Sequence, residues 1–366
     1  MRIELITTSE LNELIHDTDY WNQSVLPITK QRALSFVHNP RTQDDNVVLF
    51  CGYSKNRLIG YLCILPDYIY IDGNQQRIGL LSSWWVDPEN RKSGVGAFLL
   101  VKALKAYQQK IVGIKYNKKS GAVILRSNKF VELENNSILV ADVWLRTKSL
   151  GPKKMHEYRS FRVATKPFIY MINMYNKARS VRFAKSIRDR IVRFEYCNRV
   201  DNETDEFIKK KQDNSLFRRA ASELNWILQY PWVLHSPDIT MIKNNYFFSA
   251  NAKRFFNLVI KVKDNKNIVG FVMIKIRDEV LDVPYVYYEP PYIDGIMHII
   301  IRHAIQLDIG VIRIYDMNIH DSMVKCHFPF IKTEIYKNSI ALSNSLNIVD
   351  DKVYALQGGD GDCVFT

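Results

Sequence analysis

A chain of 366 residues suits two domains of ordinary size, each with its own core. Its 47% hydrophobic and 24% charged residues exclude a fibrous or disordered chain, and no apolar run reaches membrane-span length. The net charge of +13 and a pI near 9.3 favour an anionic partner, such as CoA, a nucleotide-sugar, an anionic lipid surface or nucleic acid.

Five scattered cysteines without Cys-x-x-Cys spacing argue against a disulfide framework or a zinc site. They indicate a reducing compartment. The N-terminus lacks a signal peptide's apolar core. The expected location is therefore the cytoplasm.

Taken in order, residues 2–7 read as a strand, and Ser9 as the N-cap of a helix over 10–15. A second helix is predicted over 28–37. Strands follow at 46–53 and 57–65, joined by Ser54-Lys55-Asn56, with 68–71 continuing the second or beginning another. After the Asp72-Gly73-Asn74 turn, 76–86 is a strand whose last part is apolar without alternation, as in a buried strand. Asp87-Pro88-Glu89-Asn90 breaks it. Beyond Gly94, Phe98, Leu99, Ala103 and Leu104 fall near helical spacing. A strand at 111–116, a short helix at 119–127 and closing strands over 130–145 complete this half.

The Arg91-Lys92-Ser93-Gly94-Val95-Gly96 turn has the ingredients of an anion site. The first N–H groups of a helix lack intrahelical partners, and the helix dipole adds positive potential. Glycines at positions 94 and 96 let a phosphate approach the backbone closely.

Val86-Asp87-Pro88 followed by Arg91-x-x-Gly94-x-Gly96 resembles motif A of the GNAT acetyltransferases, and the element order of residues 1–147 is similar to that family throughout. The resemblance implies acetyl-CoA as co-substrate. Its pyrophosphate would rest on main-chain amides of Arg91, Lys92, Ser93, Gly94, Val95, Gly96 and Ala97. Its pantetheine arm would lie beside Trp84, Trp85 and Val86, in a gap opposite 111–116, with Asn117 at the start of a stretch similar to the family's later motif.

Two departures stand out. The family often places a carboxylate three or four residues before the motif valine, where this chain has Ser83 and Ser82. Its usual tyrosine acid corresponds to Leu125. Ser82, Ser83 and Tyr116 are the candidate catalytic residues, with Asp67, Tyr68, Tyr70 and the terminal Asp360 and Asp362 as substitutes.

Residues 148–215 are basic, with a boundary at Gly151-Pro152 and a helical stretch over 168–193. There, Phe168, Met171, Ile172 and Tyr175 share one face. The favoured reading packs that apolar face on a domain, and peripheral membrane contact through 166–193 is left open. No nucleic-acid-binding motif accompanies the charge.

Residues 216–366 repeat the first order without the arginine and two-glycine turn. They contain a helix from 222, strands at 256–262, 268–276 and 283–288, a helix at 296–307, a strand at 310–315, a short helix at 320–326 and a strand at 330–342. The expected architecture is α/β (α+β), with two GNAT-like domains. Each is a mixed, mostly antiparallel sheet flanked by helices. The expected boundaries are a CoA-binding domain at 1–150, a basic helical linker at 151–215 and a degenerate domain at 216–366.

The implied activity is N-acetyl transfer from acetyl-CoA to a primary amine of a small, anionic acceptor such as an amino sugar, without a metal. A Fem-like aminoacyltransferase and a catalytically inactive CoA-binding scaffold are the alternatives.

Overall fold

In the computed structural model, Thr7 rather than Ser9 caps the first helix. The Thr7 side chain accepts from Glu10 N, and the Glu10 carboxylate accepts from Thr7 N at 2.7 Å. Such a reciprocal pair satisfies two end amides at once. The structure describes residues 1–145, 159–186, 192–238, 245–348 and 354–365. The Gly151-Pro152 boundary and the charges at Lys153, Lys154, Arg188 and Arg190 lie outside the described residues.

The first half runs β1 (Arg2–Thr7), α1 (Thr8–His16), α2 (Thr18–Trp21), α3 (Lys30–Val37), β2 (Val47–Ser54), β3 (Arg57–Ile71) and β4 (Asn74–Val86). A 3-10 turn over Pro88–Ser93 leads to α4 (Val95–Ala106), β5 (Ile111–Ile114), α5 (Lys118–Arg126) and β6 (Phe130–Asp142). The sequence leaves 68–71 ambiguous; it is the end of one long β3. Next come α6 (Arg159–Ser186), β7 (Arg193–Cys197), α7 (Asn202–Lys209), α8 (Ala221–Gln229) and two short strands, β8 (Leu234–His235) and β9 (Asn251–Ala252). The chain closes with β10 (Phe255–Asp264), β11 (Asn267–Arg277), β12 (Val280–Tyr288), α9 (Ile293–Gln306), β13 (Val311–Ile314), α10 (Met317–Lys325) and β14 (Lys332–Ser343).

Two compact units result, and neither is contiguous in sequence. The first comprises Met1–Asn136, Arg199–Phe255 and Lys337–Thr366; the second comprises Ser137–Asn198 and Phe256–Tyr336. This differs from the expected blocks 1–150, 151–215 and 216–366. Part of the expected linker is regular structure: β7 belongs to the second unit and α7 to the first.

The reason lies in long-range polar and strand pairing. In the first unit the sheet order is β1-β2-β3-β4-β5-β14. Its neighbours are antiparallel except the parallel β4–β5 pair, and β5 takes Ile340–Leu342 of β14 rather than β6, the next strand in the chain. The inserted 199–255 segment is held by Trp226 Nε1 donating to Ser35 O (2.7 Å) and by Arg219 paired to Asp67 at 2.8 Å. Helix α4 covers the sheet, burying Val95, Leu99, Leu100 and Ala103 against Leu62 and Ile64.

The second unit has the order β6-β13-β12-β11-β10-β7, which includes the parallel pair β12–β13. Helix α9 is apolar on most sides and is buried accordingly, from Ile296 through Ile301. Both units are thus mixed α/β layers with mostly antiparallel sheets flanked by helices.

Candidate active site

The β3–β4 ladder slips at one place. Leu62 faces Trp84 and Ile64 faces Leu81, so Ser82 and Ser83 together oppose the single residue Cys63. A bulge of this kind bends the strand and re-aims its side chains. On its other edge β4 pairs with β5 only from Gly79↔Ile111 to Leu81↔Gly113, although β4 continues to Val86. The strands therefore part beyond Leu81. The main-chain groups of 82–86 on that edge are left to whatever enters the cleft.

A cavity of about 300 Å³ lies at the parting point, within the first unit. Ser82, Ser83, Trp84, Tyr116, Arg32 and Asp362 line it. Ser82 Oγ donates to Asp362 Oδ2 (2.5 Å), while Arg32 Nη2 donates to Ser82 Oγ (2.8 Å) and reaches Asp362 Oδ2 at 3.4 Å. Arg32 Nη1 donates to Tyr246 OH (2.7 Å), which also hydrogen-bonds Ser83 Oγ (2.8 Å). The guanidinium stacks 3.6 Å over the Trp232 ring. Burial pushes the Tyr246 phenol up, against the pull of Arg32.

Tyr116 OH donates to the Glu132 carboxylate. Burial, with that carboxylate beside it, pushes the Tyr116 phenol above its ordinary range, so it keeps its proton at neutral pH.

Past Val86, Asp87 caps the 3-10 turn and Gly94 stands at φ +79°, the left-handed region where glycine alone is unstrained. Gly94 is the N-cap of α4 and supplies no side chain to it. Val95 N is taken by Ser93 Oγ (3.3 Å) and Phe98 N by Gly94 O (3.1 Å), which leaves the accessible Gly96 and Ala97 amides for an outside acceptor. A Cβ on Gly96 would sit 3.2 Å from Val86 Cγ2, tighter than an ordinary contact, so glycine eases this close strand–helix approach. Arg91 and Lys92 are exposed beside the turn.

The structure thus brings Ser82, Ser83, Trp84, Tyr116 and Asn117 to one cavity, with the glycine turn following the same strand. The Asn117 side chain caps α5 by accepting from Lys119 N (2.9 Å) and Ser120 N (3.0 Å). The Trp85 ring stacks on Phe247 (4.0 Å) and Tyr61 (5.5 Å) and is not in the cavity wall; only its backbone remains for the cleft. Leu125 is exposed and takes no part.

The candidate bases sort clearly. Tyr68 and Tyr70 lie beside Arg41 and Arg218, away from the cavity. Asp67 is buried between Arg41 and Arg219. Burial opposes its charge, yet the two guanidiniums outweigh it and hold the carboxyl below its usual range. It is a structural anion, not a base.

Asp362, by contrast, lines the cavity. The sequence offers the terminal Gly-Asp-Gly-Asp run as the only hint of this. Arg32 and Tyr246 carry no signal at all, since one sits in an ordinary helical pattern and the other in a loop.

Asp360 is enclosed. Its Oδ2 accepts from Gln357 N (2.7 Å), and Oδ1 has no partner among the described residues. Burial pushes its carboxyl up to about 7. The folded chain therefore holds a proton that the unfolded chain releases between about pH 4 and about pH 7. This contribution to stability is complete below that window and is lost as pH rises through it. Asp360→Asn should flatten the slope and raise the melting temperature at about pH 8, read from thermal melts across the pH series.

The second unit has no equivalent cradle in its described residues. Helix α9 carries Asp294 in its first turn, where Asp294 Oδ1 accepts from Ser322 Oγ (2.7 Å), and a Cβ on Gly295 would meet Val192 at 2.9 Å. A carboxylate at a helix N-terminus takes the place an anionic ligand would need. No group of His, Cys, Asp or Glu among the described residues could hold a metal ion. No helix among them is long and apolar enough to cross a membrane.

No curated protein matches the chain in sequence. Among solved structures, the chain is similar to a conserved Enterococcus faecalis V583 protein of unknown function described as a probable N-acyltransferase (12% identity, TM-score 0.49, covering 93% of this chain and 72% of that one). It is also similar to a putative acetyltransferase from Pyrococcus horikoshii (12%, 0.46, 97% and 94%). A third is Saccharomyces cerevisiae N-myristoyltransferase with bound myristoyl-CoA (10%, 0.48, 94% and 82%). Residues 10–122, which hold β2 to β5 and the glycine turn, match the model of the acetyltransferase (GNAT) family, and the chain carries a domain of that family.

Proposed function

We propose that the first unit is an N-acyltransferase that moves an acetyl group from acetyl-CoA to a primary amine on a small anionic acceptor. The observation that carries this reading is the bulged β4 parting from β5 directly before a helix whose end amides are uncapped. The residues fit the co-substrate: a Cβ at Gly96 would crowd the Val86 side chain, and Gly96 and Ala97 present bare amides to a pyrophosphate. Arg91, Lys92 and Ser93 would flank it, with the backbone of Trp84, Trp85 and Val86 along the cleft. When bound, acetyl-CoA supplies the activated acyl group.

The protein's own part is positioning and proton transfer. An incoming ammonium must lose a proton before its nitrogen can attack. Ser82 Oγ and Asp362 form a short relay in the cavity, and Asp362 provides the carboxylate that the sequence lacks at positions 82 and 83. Arg32 holds both oxygens in place. Ser83 is fixed by Tyr246 and shapes the wall. Tyr116, which keeps its proton, can donate to a departing thiolate.

A second cavity of about 630 Å³ shares Phe248 and Ser249 with the first. Lys30 is the only charged residue in its wall among the described residues, beside Trp21, Gln31, Asn245 and Asn251. That lining suits a polar acceptor carrying negative charge. The second unit, with Asp294 at its helix start, is read as a degenerate GNAT-like domain without a CoA site of its own.

Mixing the protein with acetyl-CoA and a panel of sugar and alkyl amines, and following thiol release, tests the reading. Amine-dependent release is expected, strongest with a phosphorylated amino sugar. Absence of any affinity for acetyl-CoA would end it.

A further inference from the structure

Helix α6 faces the core of the second unit with an unexpected set of residues. Asn176 Nδ2 donates to Val143 O (2.8 Å), and Asn173 brackets Leu145 by accepting from its N (2.7 Å) and donating to its O (2.9 Å). Ser180 is fully buried, and Phe183 meets Phe328 edge-on at 5.2 Å. These positions recur at helical spacing and define the inward face. The opposite face is apolar. Phe168, Tyr170, Met171, Met174 and Tyr175 are 52, 70, 58, 59 and 67% exposed. This corrects the expectation that the Phe168, Met171, Ile172 and Tyr175 face packs on a domain: only Ile172 is half-buried, and polar asparagines took the inward place by satisfying the main chain after β6.

A contiguous exposed stripe of this size marks an interaction surface. Its surroundings identify the partner. Lys166, Arg179, Arg182 and Lys185 are exposed along the same helix, and Lys166, Arg182 and Lys185 form no ion pair among the described residues. Lys177 lies 3.8 Å from Asp308, and the Arg179 guanidinium lies 5.7 Å over the Tyr175 ring. Apolar side chains rimmed by cations fit a surface that is greasy beneath and negative at its headgroups. A second copy would bring the same cations against this rim, in a chain already at +13.

We infer that the outward face of α6 rests on an anionic lipid surface, with the aromatic and methionine side chains among the acyl chains and the basic side chains at the phosphates.

The test is co-sedimentation of the full chain with vesicles of equal parts phosphatidylglycerol and phosphatidylcholine, beside vesicles of phosphatidylcholine alone. Binding is expected to the mixed vesicles, to be weaker in high salt, and to fall by at least about tenfold in Arg182→Glu/Lys185→Glu. Met171→Ser/Met174→Ser should lose a similar factor. These side chains are exposed, so an unchanged melting temperature verifies the fold of each variant. Equal binding to both vesicle types, or binding indifferent to the variants, would overturn the inference. So would a wild-type dimer that Met171→Ser/Met174→Ser dissociates, because the face would then belong to a second copy.

Discussion

Ala97→Glu should abolish saturable binding of acetyl-CoA while leaving the protein folded. Ala97 is exposed in the first turn of α4, with its amide uncapped. A carboxylate there stabilises the helix by roughly 0.3–1 kcal/mol through the dipole. The same carboxylate meets a pyrophosphate at contact distance, where one pair of like charges near a protein surface costs about 4 kcal/mol. Affinity should fall by at least about a hundredfold. Isothermal titration with acetyl-CoA reads the affinity, and a thermal melt reads the fold. Gly94→Ala is a less clean probe, because a Cβ at φ +79° adds about 1–2 kcal/mol of backbone strain. Unchanged binding by Ala97→Glu would place the coenzyme elsewhere.

Asp362→Asn should lower kcat by roughly a hundredfold to ten-thousandfold, the usual worth of a positioned proton acceptor. The KM for acetyl-CoA should stay near the wild-type value, because Asp362 touches Ser82 and Arg32 and not the glycine turn. Asparagine keeps an oxygen for Arg32 but cannot take a proton. Ser82→Ala should cost less, since a water can replace the hydroxyl between amine and carboxylate. Steady-state kinetics with both substrates varied separates these effects. A variant retaining full kcat would remove Asp362 from the chemistry.

The fold was legible where its causes are local. The apolar run ending at Val86, the proline turn and the two glycines place β4, the turn and the start of α4, and the family match over residues 10–122 contains that stretch. Helix and strand order in the second half also follows from pattern, down to β12, α9 and β13.

What pattern cannot supply is partnership at a distance. Nothing around Ile340 says that it pairs with Ile114, and nothing in 199–255 says that Arg219 belongs with Asp67. For the same reason the site was half-legible. Ser82, Ser83 and Tyr116 lie on or next to elements the motif locates. Arg32 and Tyr246 arrive through tertiary packing that no periodicity records. The outward face of α6 misled the sequence reading because apolar spacing reports amphipathicity without saying which side faces inward.

The strand beside β5 is synthesised long after it, because Ile114 pairs with Ile340. A nascent chain that has released β1 to β5 therefore exposes an unpaired margin until Ile340–Leu342 leave the ribosome. The same late residues bring Asp362 to Ser82. A chain halted before β14 would thus keep an open, self-adhesive sheet margin and lack the Asp362–Ser82 contact, so the margin and the cavity are completed by the same late stretch.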